Sequence, residues 1–482
     1  MSNASAASPQ PFFGPSASLT EEHDYAPRLE GTLPQGLRGT LYRNGPGVFD
    51  RAGYRKRCLL DGDGMIQAFT FDGAAPRYRN RFVRTEKFLE EERAGQWLYP
   101  TWTTRRPGGF LANINPRFKS SAGVNVVPRE TGLYALEDAS FPHRMDPDTL
   151  ETLGPDRFGV DRAVYSAHAK VDGRNGEWIH FGTEIGRQTL LHLAVLDRHD
   201  KVLRHRKLPL IGGDYIHDFF VTENHIVCHV HPVKLRPLGL LCGLRSFVES
   251  LRWEGERRGT TVLVFDRRDF SKEPIQLEAA ACWMWHSVNA FERDGEVVAD
   301  FIAYDEPDHF LDTEGGALWT MMSGDGSWSP QRNPGQLRRY VIDAEAGSLS
   351  EEPLPRLAGA AEFPVVHPDY VCHPYRYAYS TTGFAEGASV LPNGVARVDV
   401  ESGDVCEYRY PEGVSCHEAV LAPKPNGAEA EGWLLSLTYD EKTEKSALAV
   451  LDAEDVAAGP IATLHLEHHA PMTFHGSFAP KN

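Results

Sequence analysis

The sequence predicts an all-β fold, a seven-bladed β-propeller with a site on its axis. Three observations carry this reading. First, short runs rich in Val, Ile, Phe and Tyr repeatedly end in Asp and a turn: AFTFDG, HRMDPDT, AVLDRHDK, LVFDRRDF, YVIDAEAG, RVDVESGD and AVLDAEDV. β-branched and aromatic residues suit a pleated surface, whereas Asp, Gly and Pro suit turns. Second, the aspartates Asp72, Asp146, Asp197, Asp266, Asp343, Asp399 and Asp452 mark seven such units, spread fairly evenly along the chain. Seven strand-rich units of similar size describe propeller blades, with a two-sheet sandwich as the alternative. Third, chemically distinctive residues recur at nearly one offset from these markers. His168 follows Asp146, His217 follows Asp197, His286 follows Asp266 and His475 follows Asp452, each at almost the same distance. Glu362 and Glu418 follow Asp343 and Asp399 at nearly that distance too. Positions equivalent by rotation about a propeller axis point towards one place.

Taken in chain order, residues 1–20 open with MSNASAASPQPFFGPSAS, a small and polar stretch. It lacks a basic region followed by an apolar core, so it reads as disordered chain rather than a secretory signal. Residues 21–482 read as a single propeller domain. Within it, KLRPLGLLCGLRSFVESLRW (234–253) interrupts the blade pattern. Leu240, Leu244, Phe247, Val248 and Leu251 follow helical spacing, Leu238 and Leu241 extend the apolar surface, and Arg236, Arg245 and Arg252 lie around it. This is either an interfacial helix dipping into a bilayer or a helix packed on the propeller or against a second subunit.

Bulk properties exclude several classes. A net charge of −17 repels polyanions, so nucleic acid is not the expected partner. The seven cysteines are scattered without a CxxC, which suggests neither a zinc site nor a disulfide framework and fits a reducing, cytoplasmic setting. No apolar run reaches the length of a membrane span. Nothing in the sequence fixes an oligomeric state.

Four neutral imidazoles, in YSAHAK, YIHDFF, WHSVNAF and FHGSF, suit Fe, Zn, Cu or Ni. A structural zinc site would more typically include thiolates. A ligating imidazole needs its other ring nitrogen held, and Glu362 and Glu418 could each hold one. Most of the other histidines read as ordinary surface or packed residues, among them His199, His205, His225, His309 and His468.

These segments, with LEGTLPQGLRGTLYRNGPGVFDR, LLDGDGMIQAF, YALEDASFPHRMDPDTLETLG, EFPVVHPDY and HEAVLAP, occur in an order that resembles the carotenoid cleavage oxygenases. That family also contains lignostilbene dioxygenases and retinoid isomerases. The resemblance runs from about residue 25 to the end. It implies one ferrous ion held by His168, His217, His286 and His475, with no organic cofactor, and O₂-dependent cleavage of a C=C bond into two carbonyl products. It implies Glu362 and Glu418 as two of three supporting acids. Counting back from Asp146 without gaps places Asp138 at the third, where relatives usually have Glu, with Glu137 as the alternative.

The resemblance also implies a cap of loops and helices that forms an apolar tunnel above the metal. Phe69, Trp102, Phe110, Trp283, Trp285, Trp319 and Trp328 are candidates to line it, and Val124 to stand near the iron. Stilbene-cleaving relatives hold a phenol with Tyr and Lys; the matching positions here are Trp102 and Glu137. That favours a carotenoid or apocarotenoid over a stilbene. Stilbene cleavage on the same iron, retinoid-type isomerisation and a non-catalytic binding scaffold are the competing readings.

Overall fold

Seven antiparallel sheets are arranged as the blades of a propeller in the computed structural model. It describes residues 14–73, 75–138, 140–160, 165–322, 333–357, 359–383 and 391–481. Five sheets have four strands and two have five. The innermost strands are His475–Pro480, Asn125–Arg129, Lys170–Val171, Phe219–Val221, Trp283–Arg293, Ala361–Val366 and Val414–Pro423. Both chain ends close the ring. His475–Pro480 pairs with Gly39–Val48 as the inner strand of the first blade. Arg28–Gly31 pairs with Pro460–His465 at the outer edge of the last.

The marker aspartates occupy one position in every blade, the end of the third strand from the axis. There the carboxylate accepts backbone N–H groups of the following turn: Asp148 and Thr149 on Asp146, His199 and Lys201 on Asp197, Arg268 and Asp269 on Asp266, Glu401 and Ser402 on Asp399. A side chain that closes its own turn explains the recurrence of Asp. From this turn the chain runs along the fourth strand and crosses to the innermost strand of the next blade. The near-constant offset is that path, so each histidine belongs to the blade after its marker. No histidine follows Asp72 at this offset because an insertion precedes the next inner strand, Asn125–Arg129.

Apolar side chains fill the layers between blades. One layer joins Phe220, Val262 and Val264 to Ala299, Phe301 and Tyr340, all buried. Each large apolar side chain so buried contributes roughly 1.5–3 kcal/mol.

The cap gathers connections that leave at the end where the inner strands begin. It includes the helix Glu86–Ala94, the short helices Gly109–Ala112, Pro237–Leu241, Asp308–Leu311 and Ala317–Thr320, and a two-stranded ribbon. Two expectations are corrected here. Residues 234–253 do not form one helix. Val233–Leu235 and Leu251–Trp253 pair as the ribbon, and Pro237–Leu241 is a single short helix, followed by a turn at Gly243 (φ 70°) and the 3₁₀ turn Val248–Ser250. Leu240, Phe247, Val248 and Leu251 are buried as the spacing suggests, but Leu244 is exposed. The segment 1–13 lies outside the described chain, but Gly14–Thr20 is not disordered. Gly14–Ser16 is a buried 3₁₀ turn, Pro15 O accepts from Met472 N (2.9 Å), and Leu19 N donates to Gly47 O (2.8 Å). Among the described residues no helix is long and apolar enough to cross a membrane.

Candidate metal centre

Six of the seven innermost strands bring a histidine or an acid to the axis. His168 and His217 stand just before Lys170–Val171 and Phe219–Val221, and His475 begins its strand. His286, Glu362 and Glu418 lie within strands, and all three sit at breaks in register: between Met284 and Ser287, Glu362 and Val365, and Cys416 and Ala419. A bulge re-aims a side chain that regular pairing would point at a neighbouring blade. At one of them Phe363 adopts φ 51°, a strained value of the kind found at functional sites.

The four imidazoles converge. His168 Nε2 lies 3.0 Å from His217 Nε2, and one ligand atom from each of His168, His217 and His286 falls within a 4.8 Å span. The ring of His475 is 4.9 Å from that of His168 and 4.6 Å from that of His286. All four are buried.

Three imidazoles are braced from outside by carboxylates. His217 Nδ1 lies 3.1 Å from Asp138 Oδ2, His286 Nδ1 meets Glu362 Oε2, and His475 Nδ1 lies 2.8 Å from Glu418 Oε1. The carboxylates are held in turn. Asp138 accepts from Ala167 N (3.0 Å), Glu362 from the Tyr304 hydroxyl (2.6 Å), and Glu418 from Gly476 N (2.9 Å) and the buried Arg43 guanidinium. Burial pushes each of these three carboxyls up in pKa. The facing imidazole and the hydrogen bonds outweigh it, so all three are held below the ordinary carboxylate range. Among the described residues His168 has no carboxylate partner. Burial, then the neighbouring imidazoles and Lys170, hold its pKa well below the ordinary value, so it stays neutral.

This arrangement fits a bound cation. An imidazole that gives its Nδ1 hydrogen to a carboxylate keeps a lone pair on Nε2. Several such lone pairs facing one another in a buried space need a shared positive charge.

Above the imidazoles lies an apolar cavity. His217, His286 and His475 form its floor, and Trp102, Val124, Trp285, Phe310, Phe363 and Phe474 are among its walls. A second pocket shares Trp102 and Asp138 with it and reaches the buried Leu240 and the exposed Leu241. This second pocket lies beside the short helix Pro237–Leu241, with Trp102 and Asp138 lining both spaces.

The family model described as RPE65, retinal pigment epithelial membrane protein, matches residues 16–480. The chain belongs to this carotenoid oxygenase family. It is 33% identical to the apocarotenoid-15,15'-oxygenase of Synechocystis sp. over 98% of this chain and 96% of that protein. It is 25% identical to an isoeugenol monooxygenase of Pseudomonas nitroreducens, with 94% of each chain covered. A solved structure of cobalt-substituted Synechocystis ACO superposes with a TM-score of 0.90 at 32% identity, over 98% of this chain and 99% of that one. Like those relatives, the chain is an oxygenase.

Within this oxygenase frame, sequence reasoning placed some cavity residues and missed others. Trp102, Val124 and Trp285 line the cavity. Phe69 does not; it packs between strands against Leu41 and Tyr78. Trp283 and Trp319 lie behind the wall. Trp283 stacks on Tyr215 (5.4 Å), and Trp319 donates to Phe310 O (2.7 Å). Phe110 is on the outer surface, and Trp328 lies outside the described residues. His309, read as an ordinary histidine, lines the cavity and accepts from Trp285 Nε1 (2.6 Å). Tyr304 and Phe363 were also missed; the position of Phe363 directly after Glu362 was the available signal. Of the two candidates for the third acid, Asp138 reaches His217. Glu137 instead accepts from Ser120 Oγ (2.8 Å) and Ala122 N (2.7 Å), with burial raising its pKa to about 7.

Proposed function

We propose that this oxygenase binds one ferrous ion through His168, His217, His286 and His475 and cleaves a C=C bond of an apocarotenoid with O₂. One alkene and one O₂ give two carbonyl fragments, so no external reductant enters the balance. The observation that carries the reading is four converging imidazoles, three of them braced by carboxylates and forming the floor of an apolar cavity. Likeness to an apocarotenoid oxygenase along nearly the full length supports the substrate class. When bound, ferrous iron supplies activation of O₂ towards a conjugated alkene. Asp138, Glu362 and Glu418 keep three imidazoles oriented, and the cavity walls hold a polyene in place and exclude water.

The lining favours a polyene over a phenolic stilbene. Among the described residues it contains no lysine. Its two tyrosines are engaged, Tyr304 with Glu362 and Tyr215 with His217 Nδ1 (3.2 Å). Glu137 faces the cavity, and a carboxylate does not stabilise a phenolate. The test is incubation of the iron-loaded protein with an apocarotenal and with resveratrol under ¹⁸O₂, followed by mass analysis. The apocarotenal is expected to give two labelled carbonyl fragments and resveratrol none. Cleavage of resveratrol alone would reverse the assignment, and a product of unchanged mass would indicate an isomerase.

The substrate reaches the cavity from a bilayer. Leu238 (75% exposed), Leu241 and Leu244 form one apolar surface with Phe110, Leu111 (71% exposed) and Ile114. The two segments are tied by Asn115 N donating to Leu241 O (3.0 Å) and Arg105 Nη1 donating to Gly243 O (3.0 Å). Exposed apolar residues gathered at a cavity mouth are a recognition surface. The double substitution Leu238→Asp, Leu241→Asp is expected to abolish sedimentation with phosphatidylcholine vesicles without lowering the melting temperature. Unchanged vesicle binding would remove this part of the proposal.

A further inference from the structure

The imidazoles divide two spaces, of which the second is the more polar. His217, His286 and His475 face the apolar cavity. His168, His286 and His475 face a second space that descends between the innermost strands and reaches the exposed Pro368. Next to the imidazoles its walls are polar, with Asn125, Lys170, Asp218, Ser287 and Asn289. Lys170 Nζ lies 2.8 Å from Asp218 Oδ1. Asp218 is buried, and its Oδ2 accepts from Ser287 N (2.7 Å) and Ser287 Oγ (2.9 Å).

We propose that the metal ion enters and leaves the centre along this axial channel, past the Lys170–Asp218 pair, while the substrate uses the apolar cavity alone. The proposal rests on the reading of the four imidazoles as the metal centre. A divalent cation gives up its water only where other polar groups replace it. Above its floor the cavity is walled mostly by apolar side chains, with Glu137, Tyr304 and His309 among the polar ones, whereas the axial channel brings a carboxylate, two side-chain amides, a hydroxyl and an ammonium together beside the imidazoles. The ion pair sets the charge that a passing cation meets. Asp218 attracts it and Lys170 offsets that attraction. Among the described residues the two spaces share only His286 and His475, so a substrate-filled cavity leaves the metal's path open.

The pair gives predictions of opposite sign. Lys170→Met leaves a carboxylate alone in the channel and lowers the barrier to a cation. Asp218→Asn leaves an ammonium alone and raises it. Protein loaded with ferrous iron under anaerobic conditions is mixed with the chelator ferrozine, and iron release is followed optically. Lys170→Met is expected to release iron faster and Asp218→Asn slower than the parent, about tenfold apart at low salt and closer at high salt. A second measurement needs no variant. The parent is saturated with phytanol, a saturated branched alcohol with no double bond to cleave, and its iron release is expected to be unchanged. Release that slows in proportion to bound phytanol, or variants that both shift in the same direction, would overturn the route. A parent chain that takes up no iron would instead overturn the metal centre itself.

Discussion

Replacing His286 with alanine is expected to leave the protein folded, without bound iron and with alkene cleavage reduced about a thousandfold or more, since a metal's contribution of several kcal/mol converts at roughly 1.4 kcal/mol per decade. The imidazole forms one side of the cluster, with its ring 5.1 Å from that of His168, 5.8 Å from that of His217 and 4.6 Å from that of His475, so its loss removes one of the four converging ligands. The surrounding structure keeps its partners. Glu362 still accepts from the Tyr304 hydroxyl and from Phe363 N (2.6 Å). Glu362→Gln removes only the brace, and its effect is expected to be smaller, roughly 10- to 100-fold in metal affinity or activity. Metal analysis after anaerobic loading, together with O₂ consumption, separates the two variants. Iron and activity both retained in His286→Ala would refute the role assigned to it.

The second large effect concerns stability. Glu418 does two jobs: it braces His475 and it neutralises Arg43, a fully buried guanidinium. Burial acts to lower the pKa of Arg43, with Glu418 opposing, so the pair is costly to bury and more costly to break. Glu418→Ala is expected to lose about 3–5 kcal/mol of stability in addition to metal affinity. Glu362→Ala should lose the metal with a much smaller fall in melting temperature, because among the described residues no arginine pairs with Glu362. The double variant Arg43→Met, Glu418→Met should recover stability without recovering metal binding, since an apolar pair can replace a buried ion pair. Thermal melts of these variants beside the parent check this. Equal melting temperatures for Glu418→Ala and Glu362→Ala would contradict it.

Several features were legible because local chemistry dictates them. The turn aspartates stood out because each closes its own turn, which is a local requirement. The histidine offset stood out because the path from that turn to the next inner strand has nearly constant length. The exception, after Asp72, falls where the cap insertion lengthens that path. Other features depend on contacts distant in sequence. Asp138 is one methylene shorter than the expected Glu, yet it reaches His217 directly, and only the packing of two blades decides that. Residues 234–253 carry helical spacing, but the α-helix begins only at Pro237 and ends before Gly243, whose φ of 70° turns the chain. The same apolar residues are then divided between a buried turn and an exposed patch. Alternation along a strand gives which residues share a face, not whether that face meets another blade or the cavity. Phe69 and Trp283 were misplaced for that reason.

Anomalous diffraction at the iron edge, from crystals of the anaerobically iron-loaded protein, tests the central claim most directly. The account predicts one strong peak on the propeller axis, within bonding distance of His168, His217, His286 and His475. No peak there, or a peak bonded to other residues, would contradict it.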